Sequence, residues 1–281
     1  MIHINFIYQA IGGFFGHILY WLISIFQNYG LAIIVFAIIA KVITIPFTIV
    51  QIKNNKKTKL LQEKQKEIQE KYKESPNKDE LNKELTQMYV DNKYNPIAGC
   101  LMQILMFFVL IGIFFAIASP ISSTLHVSQE KVTAAYEIIG EDYQYKELGI
   151  LEEVLMGKDY SEYFSNEELS EIKSFSSSFN FFGFNLFSVP IKSGFPVMFL
   201  SILCFLIPFL NMNVSSIISN LKKRKEKPET PIFEIKTIIL SIIAPLSTFA
   251  ISLFVPCAIV LYWVTSSLLG VIQTIVTRKL T

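Results

Sequence analysis

The chain has 281 residues, 52% hydrophobic and only 17% charged, with a mean hydropathy of +0.44. This balance excludes an ordinary soluble enzyme and marks a chain that crosses a membrane several times. The net charge of +2 hides a segregation: 53–95 carries 11 Lys/Arg and 216–236 carries 6, whereas 120–190 carries 12 acidic residues against 4 lysines. Positive flanks mark the cytoplasmic side, so 53–95, 216–236 and the C-terminus are expected inside and 120–190 outside.

Residues 1–29 read as an interfacial amphipathic helix. Asn5, Gln9, Gly12, Gly13, Gly16, His17, Tyr20, Ser24 and Gln27 fall on one side, and Phe6, Ile7, Phe14, Phe15, Ile18, Trp21, Leu22 and Ile25 on the other. A pattern of this kind suits a helix lying in the membrane surface; a true span is the alternative. No Lys or Arg occurs in the first 40 residues, so a cleavable signal peptide is not expected.

The first span is 30–52. At about 1.5 Å per residue it is long enough for a hydrocarbon core roughly 30 Å thick. Lys41 lies near its middle, where a full charge costs about 2.5–3.5 kcal/mol. Lys41, Thr44, Thr48 and Gln51 share one narrow helical face, so this face must meet something wet or polar. The alternative ends the span at Lys41, which then snorkels to the surface.

Residues 53–95 read as a cytoplasmic helical hairpin. Leu60, Leu61, Ile68 and Tyr72 form one sparse apolar seam, and Leu81, Leu85, Met88 and Tyr89 the other. Glu74-Ser75-Pro76 breaks the pair, and Asn77 with Glu80 resembles a capping box. Such charge density with so little apolar surface predicts a mobile arm; a solvated spacer without a duty is the alternative.

The second span, 97–118, has Gln103 as its strongly polar interior residue. The acidic segment 119–193 should hold short helices over Glu130–Ile139, Lys146–Met156 and Asn166–Phe175. Their apolar residues are expected to form only local seams, leaving the segment dispensable for folding of the spans. The third span is 194–215, with Ser201, Pro208, Asn211 and Ser215 on one face. After the basic loop 216–236 comes the fourth span, 237–254, which stacks Ser241, Thr248 and Ser252. The fifth, 257–277, carries Tyr262, Thr265, Ser266 and Gln273 flanked by Trp263, ahead of the tail 278–281.

Polar stripes on four spans together with a central lysine suggest a shared hydrophilic cavity, although Ser and Thr also serve close helix packing. Cys100, Cys204 and Cys257 lie in or near apolar spans and form no disulfide framework. The three scattered histidines suggest no metal cluster, and there is no Walker-type loop. No cofactor is expected. The spans show no Ser–His, paired-Asp or zinc-ligand arrangement, so the chain is not expected to be an enzyme.

Several ordered motifs carry a resemblance. They are Asn28-Tyr29-Gly30-Leu31-Ala32-Ile33-Ile34, Lys41 followed by Ile45-Pro46-Phe47-Thr48, and Asn95-Pro96-Ile97-Ala98-Gly99-Cys100. Phe182-Gly183-Phe184-Asn185-Leu186 and Pro256 through Leu261-Tyr262-Trp263 to Ile272-Gln273 complete the set. With these motifs the chain resembles the YidC/Oxa/Alb membrane protein insertases, over nearly its whole length outside 120–180.

The resemblance implies an all-α membrane protein of five transmembrane helices around a hydrophilic groove, with the cytoplasmic hairpin and the N-terminal interfacial helix as appendages. It implies a multi-pass protein of the bacterial plasma membrane, N-terminus outside and C-terminus cytoplasmic. The groove would be lined by Lys41, Thr44, Thr48, Gln51, Gln103, Asn211, Tyr262, Ser266 and Gln273. A hydrophobic substrate slide would be formed by Phe107, Phe108 and Trp263 on the second and fifth spans. Lys41 takes the place of the family's usual arginine, which keeps the charge but loses the bidentate fork. Met102, Met106 and Phe108 stand where the family has proline, glutamine and proline, and Gln103 offers a substitute for that glutamine. The long basic tail of some relatives is not expected after Val276.

The implied function is insertion and chaperoning of nascent membrane proteins without ATP. Implied partners are those proteins and the lipid bilayer; the ribosome, the signal-recognition targeting machinery and the Sec translocon are candidates, without direct nucleic-acid recognition. The rival reading is a small-solute or anion transporter or channel using Lys41. An odd span number without a visible repeat counts against it.

Overall fold

The computed structural model describes residues 2–73, 77–92, 94, 96–141, 143–226 and 235–280. The side chains of Asn5, Phe6, Ile7, Gln9, the motif residues 96–100, Gln103 and Ser215, together with the whole of Asn95 and the breaker Glu74-Ser75-Pro76, lie outside the described parts.

The architecture is helical. The chain runs through α1 (Ile2–Phe26), α2 (Tyr29–Lys71), α3 (Lys78–Asp91) and α4 (Pro96–Ala118). Short elements follow: α5 (Pro120–Ser123), α6 (Gln129–Ala134) with a 3-10 turn to Glu137, α7 (Lys146–Leu155) and α8 (Asn166–Ser177). After α9 (Pro190–Ser193) come α10 (Phe195–Glu226), α11 (Ile235–Ser252) and α12 (Cys257–Leu280). One departure from an all-α chain is a small antiparallel hairpin, β1 (Asn180–Phe181) with β2 (Phe184–Asn185). Phe182 and Gly183 turn it with φ of 48° and 82°, the positive values that a two-residue hairpin turn uses.

Two helical stretches among the described residues are long and apolar enough to cross a membrane: Tyr29–Asn54, mean hydropathy 2.6, and Phe195–Asn213, mean hydropathy 2.1. Only 17% of each is buried, unlike the core helix of a soluble protein, whose apolar faces are covered. Shorter apolar stretches are Gly12–Phe26, Phe107–Ala118, Ser241–Ser252 and Cys257–Gln273.

The chain divides into two compact units, Met1–Lys41 with Ile111–Thr281, and Val42–Leu110. In the first, α10 packs along both α11 and α12. Ser201 on α10 donates its hydroxyl to the carbonyl of Ser252 at 3.3 Å. Asn213 and Ser241 exchange side-chain hydrogen bonds at 2.9 and 3.2 Å. Ser241 and Ser252 are buried. The polar face of α11 therefore holds helices together, the packing role that small polar residues serve between apolar helices.

The segment 119–193 does more than form local seams: it also docks on the ends of α2 and α12. Its interior includes fully buried Ile121, Val132, Ile150, Leu151, Tyr160, Ile172 and Phe179. Its backbone also closes helix ends, where the first amides have no partner within their own helix. The amide of Tyr29, first residue of α2, donates to Ser178 O at 3.0 Å. Those of Cys257 and Ala258, which open α12, donate to Ser188 O at 2.8 Å and Leu186 O at 3.1 Å. Rings continue the seam: Tyr29 stacks on Phe179 at 4.1 Å, and Phe179 on Phe187 at 4.2 Å.

Burial along α1 cuts across the two expected faces. Phe15, Leu19 and Leu22 are buried, yet Phe14, Trp21 and Ile25, assigned to the same side, are 63%, 59% and 53% exposed. Gly12 and Gly16, assigned to the polar side, are buried. A Cβ built on Gly16 would lie 1.9 Å from Ser123 O, so α1 and α5 meet backbone to backbone. A hydropathy pattern counts glycine as neutral and misses this kind of contact.

In the second unit the last turns of α2 are followed by α3. Asn77 caps α3, its side chain accepting from the amide of Glu80. Lys71 pairs with Glu84 at 2.8 Å across the arms, and the Thr58 and Tyr94 hydroxyls share a hydrogen bond at 2.7 Å. Leu61 and Met88 are the buried seam, whereas Leu60 is 75% exposed and leaves it; neighbours on a helix point about 100° apart.

Candidate functional site

Lys41 is half-buried on α2. Its Nζ lies beside Gly270 of α12: a Cβ built at Gly270 would be 3.6 Å away. One and two turns earlier on that face stand Ser266 and Tyr262, whose side chains share a hydrogen bond. Tyr262 is buried, with its ring 6.3 Å from that of Phe36 on α2. Gln273 is half-buried on the same face of α12. Spacing by about four residues produces this line, and the buried Ile33, Phe36, Ala37 and Ala40 of α2 supply the apolar packing.

The other groove candidates stand differently. Asn211 is half-buried on α10, and it is Asn213, two positions on and absent from the sequence reading, that bonds to α11. Thr44, Thr48 and Gln51 belong to the second unit and are half-buried. The Thr48 hydroxyl donates to the Thr44 carbonyl at 3.0 Å, so the helix itself partners that hydroxyl. Gln103 lies on α4 with its side chain outside the described parts. Of the slide candidates, Phe107 and Phe108 are 60% and 43% exposed, and Trp263 is half-buried.

The segment 119–193 contains a polar centre that sequence reasoning missed. Glu147 is 2% exposed. It accepts from the Ser122 amide at 2.9 Å and the Ser122 hydroxyl at 2.7 Å, and Tyr136 adds a side-chain hydrogen bond. Burial pushes its carboxyl above the usual range, and these donors offset part of the rise. A cavity of about 430 Å³ opens beside it, lined by Ser122, Gln129, Thr133 and Tyr136 among others. No group of three or more His, Cys, Asp or Glu among the described residues is placed to hold a metal ion.

A relative from Pelodictyon phaeoclathratiforme, named "Membrane protein insertase YidC", is 38% identical over 106 residues, 38% of this chain and 18% of the relative. One of the same name from Prosthecochloris aestuarii is 42% identical over 99 residues, 35% of this chain and 17% of the relative. Another, from Geobacter metallireducens, is 37% identical over 91 residues, 32% and 16% of the two chains. The chain thus matches less than a fifth of the length of these curated relatives. The family model described as "60Kd inner membrane protein" matches residues 21–281. Covered over nearly all its length, the chain belongs to the 60Kd inner membrane protein family.

Proposed function

We propose that the chain is a membrane protein insertase and chaperone of a bacterial plasma membrane. The observation that carries this reading is the half-buried Lys41 ammonium held against α12 in line with Tyr262 and Ser266, within a chain of this family. Five spans, N-terminus outside and C-terminus inside, enclose a polar groove. To this groove Lys41, Asn211, Tyr262, Ser266 and Gln273 contribute. The short, often acidic, outer tail of a nascent protein enters there while its apolar segment slides past Trp263.

Water and hydroxyl groups in the groove lower the cost of carrying polar groups part-way through lipid. Lys41 attracts the tail's carboxylates, and attraction at reduced dielectric exceeds that in bulk water several-fold. Burial of the substrate's apolar segment in lipid supplies the driving energy, so no covalent step is required. The charged hairpin 53–95 serves as a docking arm for the ribosome or targeting machinery; its own buried seam of Leu61 and Met88 supports its folding as an arm.

The test compares insertion of one single-span substrate, with an acidic or a neutralised tail, into proteoliposomes carrying each variant. Lys41→Arg is expected to preserve insertion. Lys41→Ala and Lys41→Glu are expected to impair it, most for the acidic tail. Unchanged insertion of both tails by Lys41→Ala would overturn the role of the charge.

A further inference from the structure

We infer that Gly270 is a positioning residue for the Lys41 ammonium: its missing side chain forms a notch in α12 that sets where the charge is presented to substrate. The inference deepens the proposed function and rests on the reading of Lys41 as the groove's charge. Tyr262, Ser266, Gly270 and Gln273 succeed one another along one face of α12. Polar side chains stand at three of these places; at the fourth there is none, and there the lysine of α2 arrives. Among the described residues, and apart from the backbone of α12 itself, Nζ is what a Cβ built at Gly270 would meet within 4 Å, so the space that glycine leaves is filled by the ammonium.

The geometry grades the response. A methyl group at 3.6 Å from Nζ makes ordinary contact, so alanine trims the notch without filling it. A branched or longer side chain occupies the place of Nζ and drives the ammonium off α12. Lysine's four-carbon stem allows that displacement at little cost in packing, which makes the residue at 270 a control on the position of the charge. Glycine also weakens a helix by about 1 kcal/mol relative to alanine, and in lipid it lets another element come close; here the element is a charged group.

The experiment uses the full chain in proteoliposomes and has two readouts. The first is the labelling rate of Lys41 by a small amine-reactive reagent, followed by mass spectrometry with Lys53 as internal reference. Gly270→Leu is expected to change the Lys41 rate at least about twofold, with Gly270→Ala intermediate and the α12 control Leu268→Ala unchanged. The second is insertion of the acidic-tail and neutral-tail substrates in a double-mutant cycle. Gly270→Leu should lower insertion of the acidic tail at least about twofold, the low end of coupling between residues in contact, and should add nothing in a Lys41→Ala background.

Equal labelling in all variants, or a Gly270→Leu effect that persists undiminished without Lys41, overturns the positioning role. If Lys41→Ala leaves acidic-tail insertion intact, the role of the charge fails, and the labelling rates still decide whether Gly270 positions the ammonium. Should Gly270→Leu not integrate, the same readings are taken on Gly270→Ala and Gly270→Ser.

Discussion

Asn28 reaches across 152 positions of sequence to donate from Nδ2 to the carbonyl of Asn180 at 2.9 Å. The same side chain accepts from the Leu31 amide at 3.1 Å and so caps α2. Next to it Tyr29 stacks on Phe179, and Gly30 lies under Phe181 so closely that a Cβ there would come within 2.3 Å of the ring. Two motifs distant in sequence, Asn28-Tyr29-Gly30 and the hairpin around Phe182-Gly183, are therefore parts of one joint.

That joint should resist enlargement. Gly30→Val forces a side chain into the place of the Phe181 ring, and overpacking of this kind costs about 1–3 kcal/mol. Thermal unfolding in detergent should show a lowered midpoint for Gly30→Val, and in a Phe181→Ala background Gly30→Val should cost markedly less. Equal costs in both backgrounds would mean that the ring is not the obstacle.

On α1, two alanine substitutions three residues apart should have opposite signs. Nothing lies within 4 Å of a Cβ at Gly13, so Gly13→Ala gains the helix preference of alanine, about 1 kcal/mol. At Gly16 the added carbon meets the Ser123 backbone carbonyl, which cannot rotate away. Hydrogen exchange over 12–26 should slow in the first variant and quicken in the second.

Glu147 makes a pH prediction. Its folded-state carboxyl is held above the ordinary range, chiefly by burial, so the folded state binds the proton more tightly than the unfolded one. The stability from this group is fully present below the unfolded value and is lost as pH rises through the raised folded value. The unfolding midpoint of the wild type should therefore fall relative to Glu147→Gln as pH rises across that window, and the difference should then level off. A constant difference would show that the group does not titrate differently on folding.

The tie between α10 and α11 should separate two neighbouring asparagines. Removing Asn213 breaks its exchange with Ser241, and such bonds between membrane helices average about 0.6 kcal/mol. In a double-mutant cycle with Ser241→Ala, Asn213→Ala should show that coupling and Asn211→Ala should show none.

What the sequence made legible follows from the range of the forces. The apolar runs made α2, α4, α10, α11 and α12 legible because a long apolar helix announces itself by length and hydropathy alone. The caps at Asn77 and the helices near 146 and 166 were readable because their signals lie within one turn. The joint at Asn28 was not, since its partners lie half the chain away. Neither was the choice of Asn213 over Asn211, which depends on rotation about a helix axis that contains Pro208. The notch at Gly270 escaped because a residue without a side chain carries no hydropathy signal; it becomes visible only when the lysine above it is in place.

The closure of helix ends by 178–188 also sets an order of events during synthesis. The first amides of α2 emerge early, yet the carbonyl that Tyr29 needs belongs to Ser178. Until the ribosome has made that stretch, the end of α2 stays open and must borrow water or lipid headgroups. α12, made later still, arrives to find the carbonyls of Leu186 and Ser188 already waiting for Ala258 and Cys257. Pairings so distant in sequence are slow to form, so the end of α2 stays unlocked until the whole stretch up to Ser178 has been made.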